Sequence, residues 1–152
     1  LIVEPTLIKN DFKSFNKRLV SETTSQQLQK ILRKVVTDEN GTASLADIYG
    51  YSVSGKTGTS QSYNNSKNIN TFISFFDIGE KKKYTLLILL EDPKIAKNLI
   101  YNYRGQKIRA FRNESGWNAV YVAGKIIEKI GPILAINKEE FETKNVVKKT
   151  SY

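Results

Sequence analysis

A chain of 152 residues, 39% of them hydrophobic, has enough apolar material for one core and lies well outside the disordered range. It contains neither cysteine nor histidine, which excludes a disulfide framework, a thiolate metal site and any Ser-His-Asp or Cys-His engine drawn from this chain alone; a base here must be lysine, carboxylate or tyrosine. The net charge of +9 is the remaining gross feature, and it admits a nucleic-acid or other anionic partner.

The chain has no methionine and begins Leu1-Ile-Val-Glu-Pro5, which reads as the middle of a strand or loop, so a fragment of something longer is expected. No apolar run reaches the roughly 18 residues needed to span a bilayer. Pro5 fixes an extended approach to a short strand candidate at 6–9. Ser21 is a good N-cap with Glu22 in the first turn. Leu28, Ile31, Leu32 and Val35 follow at i, i+3, i+4 and i+7, the stripe of an amphipathic helix over residues 22–37. Asp38-Glu-Asn-Gly41 stops it, with Asn-Gly expected to supply a left-handed turn. Residues 40–50 read as a linker. Tyr, Val and Thr favour a strand over 51–60, which Gly55 and Gly58 weaken where close approach is wanted.

Residues 61–70 are polar and loop-like. Strands are expected over 71–78 and 84–90, joined by a short turn at 79–83, hence an antiparallel hairpin. The second is apolar on both faces, so cover on both sides, by helices, is expected. The positive charge is uneven. Residues 1–48 carry seven basic and six acidic side chains, and the excess collects at Lys81-Lys82-Lys83 and over 94–112, where six basic residues meet no acid. Such a run reads as a solvated face. No period emerges over 94–114. Trp117 reads as a core anchor. Ala119, Ala123, Ile126, Ile127 and Ile130 form one helical stripe, closed by Gly131-Pro132. The tail over 137–152 is charged, with little to bury, and is expected to fray.

The stretch Tyr51-Ser-Val-Ser-Gly-Lys-Thr-Gly-Thr-Ser-Gln61 is the chemical centre. A lysine followed by hydroxyl, glycine and hydroxyl can hold an anion while the backbone approaches it closely. Two chemistries compete for these residues. From Gly50 to Thr57 the letters match the phosphate-binding P-loop, Gly, four residues, Gly-Lys-Thr. That motif works between a buried strand and a helix whose N-terminus receives the phosphates, and neither flank here has that character. A nucleotide-binding protein is therefore kept as the alternative, with a basic nucleic-acid-binding module third. The other chemistry is acyl transfer, whose site needs a cation and hydroxyls for a substrate carboxylate and backbone N–H groups for an oxyanion. An edge strand has such groups to spare.

Lys56-Thr57-Gly58-Thr59 resembles the Lys-Thr-Gly element of penicillin-binding proteins and class A β-lactamases. Its surroundings are similar to the C-terminal half of a class B, division-type penicillin-binding transpeptidase domain: Leu19-Val-Ser-Glu22 before the helix, Leu90-Glu-Asp-Pro93 after the last strand, then Gly116-Trp-Asn-Ala119, Val122-Ala-Gly-Lys-Ile-Ile127 and Pro132-Ile-Leu134. The likeness covers residues 1–136. It implies an α/β (α+β) fold, an antiparallel sheet flanked by helices, as part of a β-lactamase-like transpeptidase domain. It implies a peptidoglycan D,D-transpeptidase of the serine type. Lys56 would anchor substrate charge, Thr57 and Thr59 would bind the carboxylate, Gly58 would leave room, and the Thr59 backbone N–H would be one oxyanion donor. Catalytic roles would fall to Lys56 and Thr59.

Partners implied are peptidoglycan stem peptides, β-lactams and other division or elongation proteins, with no nucleic acid, cofactor or metal. The parent would be anchored in the bacterial inner membrane with this domain outside the cytoplasm. The family's Ser-x-x-Lys nucleophile element has one match, Ser14-Phe-Asn-Lys17, and its Ser-x-Asn element one, Ser62-Tyr-Asn64. The first sits too near the Lys-Thr-Gly strand and the second on its wrong side, so both read as coincidence. The chain is expected to carry one wall of an active site and no nucleophile.

Overall fold

The structure is a computed structural model and describes residues 2–3, 14–15, 18–61, 67–79 and 82–149. The strand candidate at 6–9 and the Ser62-Tyr-Asn64 stretch fall outside these residues. The chain divides into two units, Leu1–Ile31 and Leu32–Tyr152.

In the first unit β1 (Ile2–Val3) and β2 (Ser14–Phe15) pair antiparallel, Ile2 opposite Phe15 and Val3 opposite Ser14. The helix α1 (Glu22–Thr37) begins here, at the boundary the sequence predicts. Ser21 caps it: its Oγ accepts the Thr24 backbone N–H at 3.0 Å, one of the donors a helix start leaves unpaired. The expected apolar stripe is open in its first half, with Leu28 and Ile31 49% and 59% exposed.

In the second unit the end of α1 enters the core through Val36, with Val35 partly buried beside it. The helix stops without the expected left-handed turn. Neither Asn40 nor Gly41 has positive φ. Gly41 is needed for closeness instead: a Cβ there would lie 2.4 Å from the Val35 carbonyl oxygen. The Gly41 N–H bonds Asp38 O at 2.9 Å and the Ala43 N–H bonds Val35 O at 3.0 Å, so the chain folds back over the helix end. Residues 40–50 are accordingly no mere linker. They hold a 3-10 turn, Ser44–Ala46, and bury Ala43 and Ala46 completely.

The sheet is antiparallel in the order β3 (Ser54–Gln61), β4 (Asn68–Ile78), β5 (Lys82–Glu91). The three strands and their antiparallel sense match the sequence reading, with ends shifted by up to three residues. Register pairs Lys56 with Ile73 and Ile73 with Leu87; Thr57 with Phe72 and Phe72 with Ile88; Thr59 with Asn70 and Asn70 with Leu90. Directly opposed residues share a face, so the two faces can be read off. One carries Thr57, Thr59, Asn70, Phe72, Ser74, Phe76 and Ile88, and α2 (Ala119–Lys149) packs on it through Ala119, Val120, Ala123 and Ile127. Phe76 meets Tyr51 edge-on at 6.4 Å and stacks on Tyr84 at 5.8 Å.

The other face carries Lys56, Gly58, Ile73, Leu87 and Leu89, with Ile73, Leu87 and Leu89 51–59% exposed and Phe75 partly buried among them. The expectation that both faces of β5 are covered is therefore corrected. Among the described residues a helix covers one face, and the strand's apolar run supplies both a core row and an open row.

Three further differences bear on the site. Residues 94–114, without a legible period, contain a hairpin of β6 (Ile100–Tyr103) and β7 (Gln106–Arg109). The Gly131-Pro132 pair does not end α2, whose backbone stays helical to Lys149. The apolar stripe continues past the proline through Leu134 and Ala135, and this packing outweighs one missing hydrogen bond. Gly131 admits the Tyr51 ring, which a Cβ would meet at 2.3 Å. Among the described residues no helix is long and apolar enough to cross a membrane.

Candidate active site

Of the predicted site residues, Thr57 and Thr59 open onto a cavity of about 610 Å³ on the core face of the sheet. Lys56 does not line it. Strand alternation puts Lys56 on the opposite face, exposed, with its Nζ donating to the Thr57 carbonyl at 2.9 Å. The amine and the hydroxyls therefore lie on the two faces of β3. Gly58 shares the lysine's face, where a Cβ would stand 2.6 Å from Thr71 Oγ1; glycine is required by that close neighbour. Among the described residues β3 pairs with β4 alone, so it stands at the edge of the sheet.

The P-loop alternative is overturned by this geometry. Lys56 and Thr57 lie inside β3, followed by more strand, so no helix N-terminus faces them.

The cavity's opposite wall comes from a distant segment. A second 3-10 turn, Ser115–Trp117, approaches β3. Ser115 is 1% exposed. Its N–H donates to Thr59 Oγ1 at 3.3 Å, its Oγ donates to the Gly58 carbonyl oxygen, and its Oγ lies 3.0 Å from Thr59 Oγ1. Gly116 lets the turn close against the loop after α1, since a Cβ there would be 2.7 Å from the Thr42 carbonyl oxygen. Thr42 in turn reaches the central strand, Oγ1 to Thr57 Oγ1 at 2.9 Å. Each of the two threonines thus has a hydroxyl partner of its own.

Trp117 is half-buried, a hub of rings and not the sealed core anchor expected. Tyr101, Tyr103 and Phe111 surround it at 5.7, 5.2 and 5.4 Å between ring centroids, and Arg112 stacks over Phe111 at 5.1 Å. The apolar side of the cavity is this cluster. Burial pushes the Tyr101 phenol above its ordinary value, with Tyr121 beside it adding to the shift. Arg104 holds the β6–β7 hairpin to the end of α1 by donating to Asp38 O at 2.6 Å.

Beneath Thr59, three asparagines tie the parts together. Asn70, fully buried, donates from Nδ2 to Asn113 Oδ1 at 3.3 Å. Asn113 donates to Pro93 O at 2.6 Å, and Asn118 donates to Asn113 Oδ1 at 3.1 Å. Among the described residues no cluster of carboxylates could hold a metal ion. Sequence reasoning missed Thr42 and Ser115. Thr42 lay in a stretch read as linker, and nothing near Ser115 marks it except the small Gly116 that follows.

Comparison with known proteins agrees with this architecture. Residues 1–112 match the model of the penicillin binding protein transpeptidase domain. The chain is 34% identical over 134 residues to a probable peptidoglycan D,D-transpeptidase FtsI of Caulobacter vibrioides, covering 81% of this chain and 21% of that protein. It is 35% identical over 86 residues to a peptidoglycan D,D-transpeptidase FtsI homolog of Chlorokybus atmophyticus, covering 53% of the chain and 12% of the relative. It is 38% identical over 63 residues to penicillin-binding protein 3 of Bacillus subtilis, covering 40% and 9%. The chain thus spans about a fifth or less of the length of these relatives. No solved structure matches. With a family match over 112 of 152 residues, and an antiparallel sheet whose edge strand bears Lys56-Thr57-Gly58-Thr59, the chain belongs to the penicillin-binding protein transpeptidase domain family.

Proposed function

We propose that this chain forms one wall of the active site of a peptidoglycan D,D-transpeptidase. The parent enzyme acylates a serine outside this wall with a D-alanyl peptide and passes the acyl group to an amine; penicillins mimic the peptide. Lys56 anchors substrate charge, Thr57 and Thr59 form the side against which the substrate carboxylate lies, and the Thr59 backbone N–H is one oxyanion donor. The observation that carries this reading is the Lys-Thr-Gly-Thr run on an edge strand, with both threonine hydroxyls on an open cavity.

Ser14 is not the nucleophile in this reading. Ser-x-x-Lys brings hydroxyl and amine to one side at helical spacing, whereas Ser14 lies in the short strand β2. The chain alone is accordingly inactive. In this reading the parent is a membrane-anchored protein acting outside the cytoplasm beside other division or elongation proteins, as the resemblance to division-type penicillin-binding proteins implies.

The test is acylation of the full-length protein by a fluorescent penicillin, followed by denaturing electrophoresis. Hydrogen bonds to a charged group contribute about 1.5–3 kcal/mol, so Lys56→Ala is expected to slow acylation by roughly tenfold or more. Acylation at the wild-type rate would make the lysine a structural residue and remove the reading's main support. A labelled band from this chain alone, lost in Ser14→Ala, would identify Ser14 as the nucleophile.

A further inference from the structure

The positive charge of residues 94–112 is only partly matched within the fold. Lys94 pairs with Asp92 at 2.8 Å, Arg112 with Glu114 at 3.9 Å, and Arg104 donates to the Asp38 carbonyl oxygen. Lys97, Lys107 and Arg109 are exposed and have no acidic partner among the described residues. Two of these three stand on β7, and the hairpin puts them in order. Directly opposed residues share a face, so Tyr101, Tyr103, Gln106 and Ile108 make one face and Ile100, Asn102, Lys107 and Arg109 the other. The first turns inward, with Tyr101 buried between the Trp117 and Tyr121 rings at 5.7 and 4.8 Å. All four residues of the second are exposed.

The backbone of β7 adds a second property. The two-residue turn at Arg104-Gly105 makes Tyr103 and Gln106 the hydrogen-bonded pair nearest the turn, and bonded and non-bonded pairs alternate along an antiparallel ladder. Gln106 and Ile108 therefore bond to β6. Lys107 and Arg109 aim their backbone N–H and C=O groups the other way, toward an edge that pairs with no strand among the described residues. The two cations thus sit on the two residues whose backbone is open. The edge is also pre-formed, since Tyr101 and Arg104 fasten the hairpin to the rest of its unit, which lowers the ordering cost of binding.

We propose that the outer edge of β7 is a docking site for an extended acidic segment of a partner protein. That segment adds as an antiparallel third strand, with carboxylate side chains at alternate positions opposite Lys107 and Arg109. Strand addition satisfies the open backbone groups, and cross-strand neighbours stand about 4.5–5.5 Å apart, within reach of an ion pair. Charge selects among strands. A second copy of β7 would set cation against cation and is turned away, whereas an acidic strand is drawn in. Nucleic acid fits less well, because the rings of the hairpin face inward and leave the bases nothing to stack on. An anionic lipid surface would engage the cations and leave the backbone edge unused. This inference goes beyond the transpeptidase reading and does not depend on it.

The test titrates the full-length protein into a fluorescent eight-residue peptide alternating glutamate and threonine, read by anisotropy. A dissociation constant below about 1 mM is expected at low salt. In the proposed register the glutamate N–H groups face β7 and the threonine N–H groups face away. N-methylation of the glutamate amides is expected to weaken binding by about tenfold or more, and N-methylation of the threonine amides by no more than about twofold. Lys107→Glu with Arg109→Glu is expected to weaken binding by about tenfold or more. Its melting temperature and penicillin acylation should match the wild type, since both residues are exposed and neither lines the cavity.

No saturable binding by the wild-type protein overturns the proposal. Equal effects of the two methylated peptides overturn strand addition, and they are read on the wild-type protein, so this arm stands whatever the double variant does to folding. Undiminished binding by a folded double variant overturns the role of the cations. Tighter binding to phosphatidylglycerol vesicles or to a single-stranded oligonucleotide than to the peptide, lost in the same variant, overturns the choice of partner.

Discussion

The two faces of the central sheet are built from the same three strands yet do opposite things. On one, Phe72 and Phe76 are sealed beneath α2 with Ile88 beside them. On the other, Ile73, Leu87 and Leu89 stand more than half exposed next to Lys56. Both rows are apolar, so composition alone does not separate them. What separates them is cover, and the site residues divide along the same line, Thr57 and Thr59 with the sealed row and Lys56 with the open one. The lesson is that Lys-Thr-Gly-Thr reads as one motif in sequence and as two half-sites back to back in space. Exposed apolar patches mark contact surfaces, and this one adjoins the lysine.

The comparison can be broken most forcefully from the core side. Phe72→Ala removes a fully buried ring between Thr57 and Ile88 and is expected to destabilise the chain by about 3–5 kcal/mol, read from the midpoint of denaturant unfolding. A loss below about 1 kcal/mol would mean the sealed row is no tighter than the open one.

A smaller effect is expected where the core row touches the site strand. Gly55 faces the Phe72 ring, and a Cβ there would lie 2.8 Å from it and 2.5 Å from the Ile73 carbonyl oxygen. Gly55→Ala should cost about 1–3 kcal/mol by overpacking, measured in the same way. The gain in strand propensity should not offset it, because the backbone oxygen cannot move without breaking register.

The smallest stability change belongs to the open row. Leu87→Lys with Leu89→Lys should alter unfolding free energy by no more than about 0.5 kcal/mol per site. The same pair should reduce self-association of the isolated chain, seen by sedimentation velocity, since it puts charge on both the exposed face and β5, whose outer edge pairs with no strand among the described residues. Unfolding of the double variant would show that the row is buried in solution.

Much of this was legible because local signals agreed. Ser21, Glu22 and the spacing of Leu32 and Val35 marked α1 to the residue, and aromatic and β-branched runs marked β4 and β5. The β6–β7 hairpin was hidden for a physical reason. Its two-residue turn is Arg104-Gly105, with φ of 53° and 77°, and positive φ at the first position normally announces itself as Asn, Asp or Gly. Arginine holds that conformation here while its guanidinium bonds Asp38 O across the fold. The division of Lys56 from the threonines follows from strand alternation and was readable in principle. Thr42 and Ser115 were not, because nothing local distinguishes a hydroxyl that meets β3 from one that faces water.

The bond from Ser115 to Gly58 joins residues 57 positions apart. Hairpins such as β4–β5 close over a few residues, whereas this contact closes a loop of more than a third of the chain, and loop closure grows costlier with length. The cavity is therefore a late product of folding, made after the sheet that carries its chemistry. Its wall depends on residues beyond the 112 that the family model spans. A shortened chain ending at that limit would keep every letter of the Lys-Thr-Gly-Thr signature and lose Ser115, the buried hydroxyl its second threonine bonds.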